Sequence, residues 1–161
     1  MVDAPAGGGD GYPMDARKPM ERALAEARAA GRRGEVPVGA VVVRDGVVIA
    51  VAGNRTEEYA DPTAHAEMLA IRDAARRLGG PRLAGCDLYV TLEPCPMCAQ
   101  AISFARVRRL TFGAPDVKGG GVEHGPRIFA QPTCHHRPEV IGGIDERRCG
   151  EVLRRFFRAR R

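Results

Sequence analysis

The sequence lacks any segment that would place it in or across a membrane. No apolar run approaches the roughly 18 residues that a membrane-spanning helix needs. The N-terminus has no basic stretch followed by an apolar one, so it does not resemble a secretory signal. These absences predict a cytoplasmic protein without a membrane partner.

The sequence also lacks the even set of cysteines that a disulfide framework requires. There are five, at positions 86, 95, 98, 134 and 149. An odd count without a secretory signal indicates a reducing compartment. No internal repeat is present, and a length of 161 residues with 44% hydrophobic and 28% charged residues predicts one globular domain with its own core.

Residues 1–18 are rich in glycine and proline and show no periodicity. They predict a disordered leader, with Met14 as an alternative start of the chain. A single domain is then expected over residues 19–161. The net charge of +5 comes mostly from arginine, which is compatible with a nucleic-acid partner but does not establish one.

Hydrophobic periodicity predicts alternating helices and strands. Helices are expected from about 19 to a stop at Gly31 or Gly34, and at 64–78, 94–104 and 146–160. An extended segment is expected over 35–43, with the part around Pro37 outside the sheet, and strands at 47–52, 87–91, 109–113 and 139–141. The long segment 114–138 is expected to be a loop with one helical turn around Ile128 and Phe129. This order predicts an α/β fold in which helices cover both faces of a central sheet.

The apolar faces of the helices give a predicted core. The second helix is expected to bury Met68, Leu69, Ile71, Ala75 and Leu78, and the last helix Val152, Leu153, Phe156 and Phe157.

Two short motifs carry the chemistry. His65-Ala66-Glu67 opens one predicted helix, and Pro94-Cys95-Pro96-Met97-Cys98 opens the next. Two cysteines three residues apart at a helix start lie on one side of the first turn, where the helix N-terminus favours thiolates. Because both helices follow strands, their starts are expected at the same end of the sheet. His65, Cys95 and Cys98 therefore predict a zinc site with one open position, beside which Glu67 could move protons.

Each of these residues has a simpler interpretation when taken alone. Cys95 and Cys98 could form a redox pair or fill the core, and His65 could be a buried structural histidine. Their joint spacing favours the metal site. A purely structural zinc normally takes four protein ligands. Cys86 precedes a strand at the opposite end of the sheet and is not expected to ligate, and Cys134 and Cys149 are expected to be ordinary thiols.

His-x-Glu followed by Pro-Cys-x-x-Cys is the signature of zinc-dependent nucleobase deaminases. Together with residues 35–43, 61–67, 91–95 and 156–161, it resembles the bacterial tRNA-specific adenosine deaminases over most of residues 19–161. The resemblance implies a three-layer α/β/α cytidine-deaminase-like fold with a five-stranded mixed sheet, a homodimer and one zinc ion per subunit. It also implies hydrolytic conversion of the wobble adenosine in a tRNA anticodon stem-loop to inosine.

The resemblance further implies roles for individual residues. His65, Cys95 and Cys98 would hold the zinc, Glu67 would be the catalytic acid and base, and Asn54, Asp116 and Lys118 would bind the substrate. Asn54 could instead form a turn, and Asp116 and Lys118 could belong to a solvated loop. Pro115 stands where the family commonly has arginine. His135, His136 and Arg137 fall where the family approaches the anticodon loop, and could equally be exposed polar residues.

The metal site alone does not select the base. A deaminase of free guanine, cytosine or adenine, or of a nucleoside, is the alternative, and a non-catalytic zinc fold that binds RNA is a third hypothesis. The arginine-rich ending after Phe156 and Phe157 resembles the tRNA-type ending and favours RNA over a free base. Glu67 argues against the non-catalytic fold, which has no need of it.

Overall fold

The computed structural model describes residues 17–161. The predicted leader falls almost entirely on residues 1–16, which lie outside the described residues, and the first helix begins two residues before the predicted start at Pro19. The elements in chain order are α1 (Arg17–Arg32), β1 (Gly39–Arg44), β2 (Val47–Gly53), α2 (Ala66–Leu78), β3 (Cys86–Leu92), α3 (Pro96–Phe104), β4 (Arg109–Ala114), a short 3-10 helix (Ile128–Ala130), β5 (Glu139–Gly142) and α4 (Glu146–Arg158).

The five strands form one mixed sheet in the order β2-β1-β3-β4-β5. β1 pairs antiparallel with β2 and with β3, whereas β3, β4 and β5 run parallel. β2 therefore points in the same direction as β3, and the segments that leave β2, β3 and β4 emerge at the same end of the sheet. The predicted five-stranded mixed sheet is confirmed.

Helices cover both faces of this sheet. On one face α1 packs through Met20, Ala23 and Leu24 against Val41 and Val43, and α4 contributes Cys149 to the same cluster. On the other face lie α2 and α3. The core beneath them draws on alternate positions of the central strands, Val42, Leu88 and Val90 among them, as the pleat of a strand requires. The three-layer α/β/α architecture is confirmed.

The buried side of α2 differs from the predicted one. Its fully buried positions are Ala66, Glu67, Ala70 and Ala74, a stripe of small residues that lets the helix lie close to the sheet. All five predicted core positions of α2 are only partly buried. Large apolar side chains on a helix resemble a core stripe in sequence, but here they flank the contact that alanines make.

The same difference occurs in α4. Its one fully buried residue is Cys149, whereas Val152, Leu153 and Phe156 are partly buried and Phe157 is 48% exposed. The prediction that these four residues are buried was therefore wrong for Phe157, whereas Val152 and Leu153 are partly buried and pack against the core. α4 packs beside α1 on one face of the sheet, and its apolar side chains border grooves on the surface.

The start of α3 also needs a correction. Pro96, and not Pro94, is the proline in the first turn, and Cys95 is the residue that precedes the helix. Proline suits this first position because its missing N–H would have no partner within the helix. Cys95 is therefore extended and Cys98 is helical, which turns both sulfurs toward the same side.

Candidate active site

The backbone at the start of α2 is held by Asn54, the residue that follows β2. Its Oδ1 accepts a hydrogen bond from the Ala66 N–H at 2.8 Å, and its Nδ2 donates to the Val36 carbonyl at 3.0 Å. Asn54 is 8% exposed. It therefore satisfies one of the N–H groups that a helix start leaves unpaired, and it fixes the position of His65, the N-terminal cap residue of α2.

The side chains of His65, Cys95 and Cys98 come together, and we call these three residues the metal group. The His65 Nδ1 lies 3.7 Å from the Cys95 Sγ and 3.5 Å from the Cys98 Sγ. A nitrogen and a sulfur bound tetrahedrally to one zinc ion lie about 3.6 Å apart, given bond lengths near 2.0 and 2.3 Å. The three donor atoms lie within 4.8 Å of one another. The donor set and its spacing fit a zinc ion without rearrangement.

The protonation of the two thiols is strongly coupled. A hydrogen bond from the Cys98 thiol lowers the pKa of Cys95 to about 4, with His65 acting in the same direction, while that same hydrogen bond and burial raise the pKa of Cys98. Both sulfurs would have to be thiolates to hold a zinc ion, because a coordinating thiol is deprotonated outright.

Glu67 lies beside the group but is not one of the three residues whose donor atoms converge. Its side chain is 4% exposed, and its carboxyl group interacts with the Cys98 thiol. Burial raises the pKa of Glu67. A carboxyl group with a raised pKa, held close to a metal group, is suited to accepting and returning protons near neutral pH.

Glu93 organises the loop that follows β4, and sequence reasoning missed it. Its buried carboxylate accepts hydrogen bonds from the backbone N–H groups of Asp116, Val122, Glu123 and His124 at 3.1 to 3.3 Å. The His124 Nδ1 lies 2.7 Å from its Oε1. Burial alone would raise the pKa of Glu93, but the hydrogen bonds from His124 and the backbone outweigh it and lower that pKa.

Glu35 does the same for the loop between β2 and α2. It is 1% exposed and accepts hydrogen bonds from the N–H groups of Glu57 and Glu58 at 3.2 and 2.8 Å. Two buried glutamates thus hold the two loops on either side of the metal group. The available sequence signal was their position, since Glu35 stands two residues before Pro37 and Glu93 two residues before Cys95.

The three predicted substrate-binding residues differ in burial and in the backbone groups that they contact. Asn54 lies against the start of α2 as described above. The Asp116 Oδ1 accepts the N–H groups of Lys118 and Gly119 at 3.2 and 2.9 Å, so this carboxylate shapes its own turn. Lys118 is exposed on that turn. All three lie at the end of the sheet from which the metal group's helices start.

A groove of about 530 Å³ opens next to Asp116, and we call it the Asp116 groove. It lies between the end of β3 and one side of α4, and its walls include Val36, Leu92, Pro115 and Phe157. Leu92 ends β3, and the carbonyl group of Val36 accepts a hydrogen bond from the side chain of Asn54, so the groove lies at the end of the sheet that carries the metal group. Its size suits a nucleoside-sized ligand.

The segment with His135, His136 and Arg137 is attached to the protein mainly through two of these residues. The His136 Nε2 lies 2.8 Å from the Val107 carbonyl, and Arg137 donates to the carbonyl groups of Phe129 and Gln131. His135 is exposed. His136 therefore has a clear structural contact, and a role for His135 in binding stays a prediction.

The arrangement of motifs agrees with comparisons to known proteins. The sequence profile of the cytidine and deoxycytidylate deaminase zinc-binding region matches residues 14–114, which include His65, Glu67, Cys95 and Cys98. This chain belongs to that deaminase family. The zinc-binding signature predicted from His-x-Glu and Pro-Cys-x-x-Cys is thereby confirmed at the level of the family.

Within the deaminase family, the chain is similar to tRNA-specific enzymes. It is 63% identical over 142 residues to the tRNA-specific adenosine deaminase of Agrobacterium fabrum, covering 88% of this chain and 93% of that protein. A structure solved in a study of A-to-I editing by tRNA:A34 deaminases is 62% identical, with a TM-score of 0.84 over 85% of this chain and 99% of the other. The predicted resemblance and the deaminase fold are confirmed.

A second solved structure represents the alternative chemistry. The guanine deaminase of Bacillus subtilis is 42% identical, with a TM-score of 0.62 over 63% of this chain and 66% of that one. The common core therefore serves more than one base within the family. Within residues 17–161, none of the helices combines the length and the apolarity needed to cross a membrane.

Proposed function

We propose that this protein hydrolyses the wobble adenosine of a tRNA anticodon to inosine, using one zinc ion per subunit. The observation that carries the proposal is the convergence of His65, Cys95 and Cys98 beside the buried Glu67, in a chain 63% identical to a tRNA-specific adenosine deaminase. His65 Nδ1 and the two sulfurs would hold the metal. Asn54, Asp116 and Lys118 would bind the target nucleotide and its backbone.

The chemistry divides between the metal and Glu67. A zinc ion held by one histidine and two cysteines supplies a Lewis acid that lowers the pKa of water to about 7. Glu67 takes a proton from the attacking water and delivers it to the purine N1 as C6 is attacked. It then takes the proton of the new C6 hydroxyl group and delivers it to the amino group, which leaves as ammonia as the C6 carbonyl of inosine forms. Its burial favours this cycle, because burial raises the pKa of the carboxyl group and makes it a better proton acceptor.

RNA is favoured over a free base by the surface beside the site. α4 presents five arginines between Arg147 and Arg158, and Arg160 and Arg161 follow it. Guanidinium groups at such positions can pair with phosphates. An anticodon loop presents unstacked nucleotides, so a target adenosine can enter the site at low cost.

We also infer that the protein is a homodimer that contacts itself through α2 and α3. Phe104 is 70% exposed, and Ala101 and Met97 lie one and two turns before it on the same side of α3 and are partly buried. The partly buried Met68 extends the apolar surface onto α2. We place the protein in the cytoplasm, because all five cysteines are free thiols and the proposed substrate is tRNA.

The test is a substrate comparison with the zinc-loaded protein. We expect inosine to form in an anticodon stem-loop that carries a wobble adenosine, and no ammonia to form from adenine, guanine or cytosine. Ammonia from free guanine without inosine in the RNA would instead establish the alternative function. Zinc bound without turnover on any of these substrates would contradict both.

The matched control for the assay is Glu67→Gln, which is nearly isosteric. We expect this variant to retain wild-type zinc content and RNA affinity and to lose turnover by at least about 100-fold, because it cannot carry a proton. His65→Ala should lose zinc as well, measured by metal analysis of the purified protein. Glu67→Gln with wild-type turnover would remove Glu67 from the mechanism.

A further inference from the structure

A second groove lies on the other side of α4, between this helix and the end of α1. It has a volume of about 390 Å³ and we call it the arginine groove. Four arginines surround it: Arg28, Arg32, Arg155 and Arg160. Its floor is apolar and consists of Gly31, Pro37, Val152 and Phe156. Within the described part of the chain, no carboxylate lines this groove.

The arginine groove is connected to the metal group through a few hydrogen bonds. Its wall residue Pro37 lies between Val36 and Val38, whose carbonyl groups accept hydrogen bonds from the side chain and the backbone N–H of Asn54 at 3.0 and 3.2 Å. Asn54 in turn accepts the N–H of Ala66, which follows His65. The groove therefore opens at the end of the sheet that carries the site.

α4 forms the ridge between the two grooves. Phe157 lines the Asp116 groove, and its neighbour Phe156 lines the arginine groove. The two rings meet edge to face with centroids 5.3 Å apart. An RNA chain with one nucleotide in the Asp116 groove can thus place a neighbouring nucleotide in the arginine groove by crossing α4 alone.

The arginine groove is suited to bind both the base and the phosphate of a nucleotide. The Arg160 guanidinium stacks on the Phe156 ring at 3.4 Å, and its Nη1 donates to the Phe156 carbonyl at 3.2 Å, so its plane is held in place. Such a plane can stack against an unpaired base. Arg155 shares the carboxylate of Glu151 at 3.3 Å. Arg28 and Arg32 extend the positive charge onto α1.

We propose that the arginine groove binds one unpaired nucleotide of the RNA next to the target nucleotide. Its base would stack against Arg160 over the floor at Gly31, and its phosphates would pair with Arg28 and Arg32. This inference rests on the proposed function, since it names a second binding site for the same RNA substrate. The proposed site extends the RNA-binding surface beyond the arginine-rich C-terminal segment, because α1 forms one of its walls.

Two variants separate the charge of the groove from its shape. The double variant Arg28→Gln/Arg32→Gln removes two exposed charges and no packing. Gly31→Leu retains every charge and fills the floor. A Cβ at Gly31 would meet Pro37 at 3.4 Å and Phe156 at 4.0 Å, which are ordinary contacts, and leucine favours the helix more than glycine does. Arg44→Gln/Arg82→Gln, at the opposite end of the sheet, is the matched charge control.

The measurement is the affinity of the zinc-loaded protein for a fluorescent anticodon stem-loop across a series of salt concentrations. We expect the Arg28→Gln/Arg32→Gln variant to bind about 10-fold more weakly and to reduce the salt slope by about 1.4, or about 0.7 for each phosphate that is no longer neutralised. Gly31→Leu should weaken binding about 10-fold with an unchanged slope, as expected when one base can no longer stack. The affinity of the Arg44→Gln/Arg82→Gln control should stay within about twofold of the wild-type value. In the Arg44→Gln/Arg82→Gln control, kcat at saturating RNA should match the wild type.

Wild-type affinity and slope in both groove variants would overturn the proposal, as would an equal loss of affinity in the Arg44→Gln/Arg82→Gln control, which would indicate nonspecific charge. The proposed function is tested by a different measurement from the one that tests the arginine groove. Inosine formation by the wild type tests that function, and inosine formation together with unchanged groove variants would reject the arginine groove alone.

Discussion

At the scale of single residues, the metal group depends on two buried glutamates that do not bind metal. Glu35 and Glu93 each place a carboxylate where a loop would otherwise leave several backbone N–H groups unpaired. Buried N–H groups are costly without a partner, so one carboxylate with several acceptor sites organises a whole loop. Sequence reasoning expects glutamate on the surface, and for that reason missed both residues.

Glu93→Gln tests this role. The amide would turn an N–H₂ group toward backbone donors that now share one carboxylate, so we expect a loss of about 2 kcal/mol in the free energy of unfolding. KM for the RNA should rise more than kcat falls, because the loop carries Asp116 and Lys118. Denaturant unfolding and steady-state kinetics at saturating zinc measure the two effects.

The control for this substitution is Glu139→Gln. Glu139 pairs with Arg109 at 2.9 Å on the surface, where its side chain is 58% exposed. Removal of such a pair should cost less than about 1 kcal/mol. Equal stabilities of the two variants would show that Glu93 is no more than another surface carboxylate.

At the scale of elements, α1 and α4 both approach the sheet at a glycine. A Cβ at Gly39 of β1 would lie 1.9 Å from the Ala23 carbonyl oxygen of α1, and a Cβ at Gly113 of β4 would lie 2.4 Å from the Cys149 Sγ of α4. Both strands could have been predicted from their sequences, and both were. The two close approaches could not be, because they depend on which distant helix crosses which strand.

We expect Gly39→Ala to destabilise the protein by about 3 kcal/mol or more, because the new methyl group meets helix backbone that cannot rotate away. Gly80→Ala is the matched control, since nothing lies within 4 Å of a Cβ there. Thermal unfolding of both zinc-loaded variants measures the difference. An unchanged melting temperature for Gly39→Ala would mean that α1 does not pack as closely as the structure has it.

At the scale of the whole molecule, function is concentrated at one end of the sheet. The metal group, the Asp116 groove and the arginine groove all open there, and α4 separates the two grooves. The outer side of α2 and α3 is left with an apolar surface around Phe104. Met68 of α2, which was predicted to be core, is partly buried beside this surface, and in the proposed homodimer a second copy of the chain would cover it.

The homodimer predicts a mass of twice the chain's 17.3 kDa in multi-angle light scattering. Phe104→Arg should shift the protein toward the monomer, because a charge placed in an apolar interface is not paired. Val47→Arg, at an exposed position of the β1–β2 hairpin, should remain dimeric. A wild-type protein that is monomeric at all concentrations would contradict the proposal.

The sequence by itself determined the architecture, and the resemblance of its two short motifs to the deaminase signature indicated the reaction class. Periodicity located the strands and helices, and the spacing of His65, Cys95 and Cys98 at two helix starts was sufficient to bring them together. These inferences succeeded because they depend on local geometry and on the direction of neighbouring strands. The exact first turn of α3 was misjudged by two residues, since two prolines competed for that position.

Only the tertiary structure decided which face of each helix is buried and where the surface opens. The buried side of α2 consists mainly of alanines, whereas Phe156 and Phe157 of α4 border grooves on the surface. Local sequence does not predict this, because the distance between a helix and the sheet depends on residues far apart in the chain. The same holds for Glu93, whose partners lie 23 to 31 residues away. In the sequence, the metal group is a pair of short motifs. The fold adds to it the backbone partners of two buried glutamates, and two grooves, which depend on residues far apart in the chain.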